Sequence, residues 1–261
     1  MDFSALFSQV WPLAALLLVA GPLIMRGAAK RRDARRRAGA RQASSLGMDY
    51  QPPPASGHQG VLDEGTHRFS GTTRGIEWQC ETLLLSQTDS DTGASNRRID
   101  RLSHTRWTAS GCGTGGGALM LMNPPGGVVP AGAPATGGGL LAGLAEKAGG
   151  VALRAFAAAC FGAAKAGSLP LQPGHRLPAP ADDFGRAFYI FADEPGLLKR
   201  INPEVRALLL EARDEQIAML WDVHGLTLNW PTPATSPEAV ARTAEFGAAI
   251  AAGLSRRGML A

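Results

Sequence analysis

The residues best placed to do chemistry lie between positions 104 and 117, where His104 is followed by Gly111-Cys112-Gly113-Thr114-Gly115-Gly116-Gly117. A glycine run cradles phosphate when it joins a strand to the N-terminus of a helix, because the free amides of the first turn point at the anion. This run instead leads into a second strand-like stretch (ALMLMN), with no following Lys-Ser or Lys-Thr and no acidic residue at dinucleotide spacing. It reads as a mobile turn. The other chemistry is nucleophilic, with Cys112 as the attacking thiol and His104 as its base. A reactive thiol needs an electropositive seat such as a helix N-terminus. Cys112 sits in a glycine loop with no third group to orient the pair, so no catalytic residue is assigned.

Metal and cofactor chemistry find no support either. His58, His67, His104, His175 and His224 are scattered singly, and no two of Cys80, Cys112 and Cys160 have zinc or redox spacing. An odd number of distant cysteines suits a reducing compartment. The acidic pairs Asp182-Asp183 and Asp193-Glu194 adjoin expected helix or strand ends, where acids are favoured by the helix dipole alone. Arg97, Arg98, Arg101 and Arg106 read as a solvated loop and strand edge balanced by Asp89, Asp91 and Asp100; an anion or lipid-headgroup site is the sharper alternative. Trp78, Trp107, Trp221 and Trp230 fall on expected strands, where core packing is the default.

The elements that must position these residues follow from periodicity. Ile76, Trp78, Cys80 and Thr82 alternate with Glu77, Gln79 and Glu81, the period of a strand with one buried face. Thr105, Trp107 and Ala109 repeat that pattern, and ALMLMN is a short apolar strand stopped by Pro124 and Pro125. Four short strands are thus expected between residue 66 and that point. Residues 124–139 hold little that can build a core and mark a flexible excursion or a sub-boundary between lobes. The alanine-rich stretch 140–166 is helical by propensity, broken at Gly149-Gly150, and too interrupted by Arg154 and Lys165 to cross a bilayer.

RAFYIFAD is a strand with apolar side chains on both faces. Asn202 caps a helix with Pro203 at its first position, Pro195 opens a shorter helical turn before it, and residues 217–230 form a hairpin turning near His224-Gly225. A last helix runs from about Pro237 to Arg257, with Ser236 as its cap and Gly247 allowing close approach to a sheet. The order is that of an α+β domain: a mainly antiparallel sheet with helices packed on one face.

Upstream of this domain, residues 1–25 read as a transmembrane anchor. From Phe3 to Met25 only Ser4, Ser8 and Gln9 are polar and nothing is charged, long enough to span about 30 Å of hydrocarbon as a helix. Arg26, Lys30, Arg31, Arg32, Arg35, Arg36, Arg37 and Arg41 follow at once. Cationic residues after the apolar run, and none before it, fit an uncleaved anchor better than a signal peptide. By the positive-inside rule the N-terminus lies outside and the rest in the cytoplasm, at the inner membrane. These eight residues are the expected contact with the lipid bilayer. Residues 26–65 are then a basic juxtamembrane segment and a Pro/Gly/Ser-rich linker, the part from 42 lifting the domain 66–261 off the membrane.

The net charge of +4 comes from that segment. Residues 26–41 hold eight basic and one acidic side chain, and with Asp2 counted, the chain from 42 onward carries −2. A mildly acidic domain is a poor nucleic-acid binder. What remains is a membrane-anchored domain that binds a protein partner or helps assemble a membrane complex. An apolar-ligand or lipid-binding domain is the alternative, and a membrane-associated enzyme using Cys112 or His104 the third choice.

Overall fold

The computed structural model describes residues 30, 33–34, 36–53, 65–84, 104–123, 154–155, 157–169, 177, 180 and 182–255. In chain order they form helix α1 (36–45), strands β1 (Asp49–Gln51), β2 (Gly65–Thr73), β3 (Ile76–Leu84), β4 (His104–Ala109) and β5 (Leu119–Met122), and helices α2 (157–161), α3 (Ala163–Ser168) and α4 (Asp183–Ala187). Strand β6 (Tyr189–Ala192), helices α5 (Pro195–Arg200) and α6 (Pro203–Glu211), a 3-10 turn (Arg213–Glu215), the hairpin β7 (Ala218–Asp222) and β8 (Gly225–Trp230), and helix α7 (Pro237–Ser255) complete it.

The strands make one antiparallel sheet ordered β1-β2-β3-β4-β8-β7-β5-β6. The α+β class expected from the sequence is therefore observed. The period-2 patterns align from strand to strand. A single row of partners, Tyr50, Phe69, Cys80, Trp107, Leu228, Met219, Leu121 and Ile190, crosses all eight strands on one face. Helix α7 lies on this face over β2, β3 and β4, with α6 beside it. Its seat is cut by Gly247: a Cβ there would come within 2.6 Å of Cδ2 of Trp107, so glycine is what lets helix and indole touch. The expected caps are in place, with Val205 N donating to Asn202 Oδ1 at 2.8 Å and Ala239 N to Ser236 Oγ at 3.3 Å.

Two expectations are corrected. Helices do not pack on one face only: α2 and α3 cover the other face, where Ala157, Cys160, Phe161 and Ala166 meet Met120, Met122, Phe191, Ala218 and Leu220. The cause is that β5, β6 and β7 are apolar on both sides and need burial twice. Nor does the spacer begin at 42. Ala43 and Met48 are buried in the main core, and residues 49–51 pair with β2. In the sheet the β7–β8 hairpin stands between β4 and β5. Among the described residues no helix is long and apolar enough to cross a membrane; residues 1–25, where the sequence places the anchor, lie outside them. So do Gly149-Gly150 and the stretch 124–139.

Candidate functional site

Helix α7 and its neighbours occupy the first face, so the second face is where exposed sheet remains. Two rows of partners traverse it. One reads Ser70, Gln79, Thr108, Thr227, Leu220, Met120, Phe191, and the other Arg68, Glu81, Arg106, Asn229, Ala218, Met122, Tyr189. Both change from polar to apolar between β8 and β7. Helices α2 and α3 cover the apolar half and reach just past it over β8, where Thr227 and Asn229 are buried.

The border is held by side chains of the polar half reaching up to the cover. Arg106 Nε (2.9 Å) and Asn229 Nδ2 (3.0 Å) both donate to the Cys160 carbonyl, and Lys165 Nζ lies 3.3 Å from Thr227 Oγ1. The last carbonyls of a helix have no partner within it, and cationic donors there also oppose its dipole. Arg106 is thus a cap for α2, not the solvated edge or anion site weighed from the sequence. Asn229, which sequence reasoning passed over, shares the task; a side-chain amide in the hairpin's otherwise apolar and threonine-bearing second strand was the signal.

Beyond the border lies a groove of about 550 Å³ on the polar half, walled by β2, β3, β4 and the start of β8. Ser70, Gln79, Thr108 and Thr227 form its floor, and Asp49, Glu77, Lys165 and His224 bring charge or a titratable ring to its rim. A second groove, about 480 Å³, opens on the opposite face between Trp230, Phe246, Glu211, Glu215 and Arg242. Drug-sized ligands are usually held in enclosed, mostly apolar cavities. The first groove is instead a floor of hydroxyl and amide groups, suited to meeting another polar surface.

No protein-family model, curated protein or solved structure matches the chain.

The residues singled out for chemistry are not brought together. His104 opens β4 and Cys112 lies beyond its far end, and the strand between His104 and Ala109 alone spans about 17 Å. The Cys112 thiol is buried and raised above its ordinary value by that burial, partly offset by a backbone hydrogen bond from Leu226. Burial likewise pushes the Cys80 and Cys160 thiols up to about 12, the carboxylate of Glu81 adding to the effect at Cys80 and Arg106 opposing it at Cys160. A thiol that holds its proton is a poor nucleophile. Among the described residues no three His, Cys, Asp or Glu side chains group as a metal site. His67 pairs with the Tyr50 hydroxyl at 2.8 Å, and His58 and His175 lie outside the described residues.

The glycine run does join strand to strand, as expected, but it is pinned. Thr114 N donates to the Asp222 carbonyl (2.9 Å), Thr114 Oγ1 to the Gly117 carbonyl (2.8 Å), and Arg200 Nη1 to the Thr114 carbonyl (2.6 Å) while its guanidinium stacks on Trp221. A Cβ at Gly113 would lie 2.5 Å from the Val223 carbonyl. The acidic pairs are structural as well. Asp182 caps α4 through Gly185 N at 2.9 Å, and Asp193 accepts from Ala118 N at 2.9 Å. Of the eight basic residues, Lys30, Arg37 and Arg41 are exposed and Arg36 half-buried, while Arg26, Arg31, Arg32 and Arg35 lie outside the described side chains; Arg97, Arg98 and Arg101 do too.

Proposed function

We propose that the chain is a single-span inner-membrane protein whose cytoplasmic domain docks a protein partner on the bare polar half of its second sheet face. The carrying observation is the contrast along the two rows: among the described residues, helices cover that face where it is apolar and none covers it where Arg68, Ser70, Gln79, Glu81 and Thr108 stand. Interfaces of non-obligate complexes are about as polar as ordinary surface and rely on matched hydrogen bonds. The span and its orientation rest on the apolar run 3–25 and the cationic residues after it.

Site-specific photo-cross-linking in native membranes tests the reading. A photoreactive residue in place of Gln79 should give one discrete adduct, lost when Ser70→Arg is added, while the same residue in place of the exposed Glu204 on α6 gives none. Equal adducts from both positions, or from neither, would refute it. The alternative of an apolar ligand beneath the alanine-rich helices has less support, since Phe161 and the methionines Met120 and Met122 occupy the space the alanines leave.

A further inference from the structure

We infer that the domain lies directly against the bilayer, with the outer side of α1 as its lipid-facing surface and anionic headgroups as the partner. The inference rests on the proposed span and deepens it by fixing where the domain sits. Its basis is that the cationic segment is not a free tether. Arg36, Gly39 and Ala43 share one side of α1 at helical spacing and are its less exposed positions, Ala43 being fully buried and Arg36 Nε enclosed. Gln42 bonds Glu238 in the first turn of α7, and Met48 plugs the core just after the helix. Residues from 36 onward therefore belong to the folded body.

That shortens the connection. A tether from 26 to 65 would be 40 residues, able to reach about 140 Å when extended. Only the ten residues 26–35 now separate the apolar run from the body; the described ones among them, 30, 33 and 34, are helical, and ten residues reach at most about 35 Å extended or about 15 Å as helix. Arg37 and Arg41, one turn apart on the side of α1 opposite its packed face, are exposed; their Nε groups donate to backbone carbonyls, and neither forms an ion pair among the described residues. Cations that form no ion pair among the described residues, held this close to a surface, are available to lipid phosphates. Each contributes roughly 1 kcal/mol near an anionic leaflet, so the pair favours the apposed state about 30-fold.

The test uses the full chain in vesicles containing phosphatidylglycerol and a headgroup-linked energy acceptor. The donor sits at Ser44→Cys, which shares the outer side with Arg37 and Arg41; the three native thiols are buried and stay unlabelled. High transfer is expected. It should fall when twenty Gly/Ser residues are inserted between 35 and 36, and the apposed fraction should shift about 30-fold on changing Arg37→Gln with Arg41→Gln. If the chain resists carbonate washing yet transfer equals that of the insertion variant, the apposition is overturned and the anchor stands. If carbonate releases the chain, the anchor fails and the apposition with it.

Discussion

The two halves of the sheet's second face share one backbone ladder but differ in what stands on it. On the β5–β7 half, Leu220, Met120 and Phe191 continue the row that Ser70, Gln79 and Thr108 begin on the other. The apolar half has drawn α2 and α3 onto itself, and the polar half has not. Backbone pairing is the same throughout, so the difference is made by side-chain hydration: burying methyl and methylene groups is favourable, whereas burying Gln79 or Arg68 would need replacement hydrogen bonds. Among the described residues cover follows apolarity, and no described helix lies over the polar half.

The largest effect that can break this comparison is removal of the cover's main anchor. Phe161→Ala should cost about 3–5 kcal/mol in urea unfolding, because it strips a buried ring from the apolar half. A loss below about 1 kcal/mol would mean the cover is not what stabilises that half. Next comes the border. Arg106→Met should cost about 1.5–3 kcal/mol and speed amide exchange in α2 while sparing α7, since a charged donor leaves the Cys160 carbonyl.

A smaller effect is set by pH. Cys80 under α7 and Cys160 under the cover hold their protons to about 12, whereas the unfolded chain releases them near 9. Between those values the folded state binds more protons, so this contribution is intact below the unfolded pKa and stability falls as pH rises through the window. Cys160→Ala should remove its share of that fall and leave the part that Cys80 and Cys112 supply; an unchanged slope would show that the two faces do not bury their thiols alike. The smallest effect belongs to the open half. Gln79→Thr should move stability by no more than about 0.5 kcal/mol, because its side chain is exposed among the described residues.

Much of this was legible locally. The alternation at 76–82 and 217–230, the caps at Asn202 and Ser236, and the close approach at Gly247 are each written within a few residues. The pairing of β4 with β8 was not, because Trp107 and Leu228 meet across more than a hundred residues and no local pattern encodes that register. Arg106 and Asn229 were unreadable for the same reason: each is an ordinary polar strand residue until α2 ends above it. Strand β1 is too short to show a period. For α1 the signal lies in Arg36, Gly39 and Ala43, a narrow side within a run whose composition is otherwise that of a solvated cationic segment. The open half was visible as Glu77, Gln79 and Glu81 on one side of a strand; that its neighbours would also be polar and bare needed the sheet order.

The most direct measurement of the central claim is the reactivity of Gln79→Cys toward a membrane-permeant thiol reagent, compared between intact membranes and the detergent-purified chain. A partner docked on the open half predicts a thiol protected in membranes and reactive once purified, with the exposed control Glu204→Cys reactive in both. Equal reactivity of Gln79→Cys in the two settings would contradict the account.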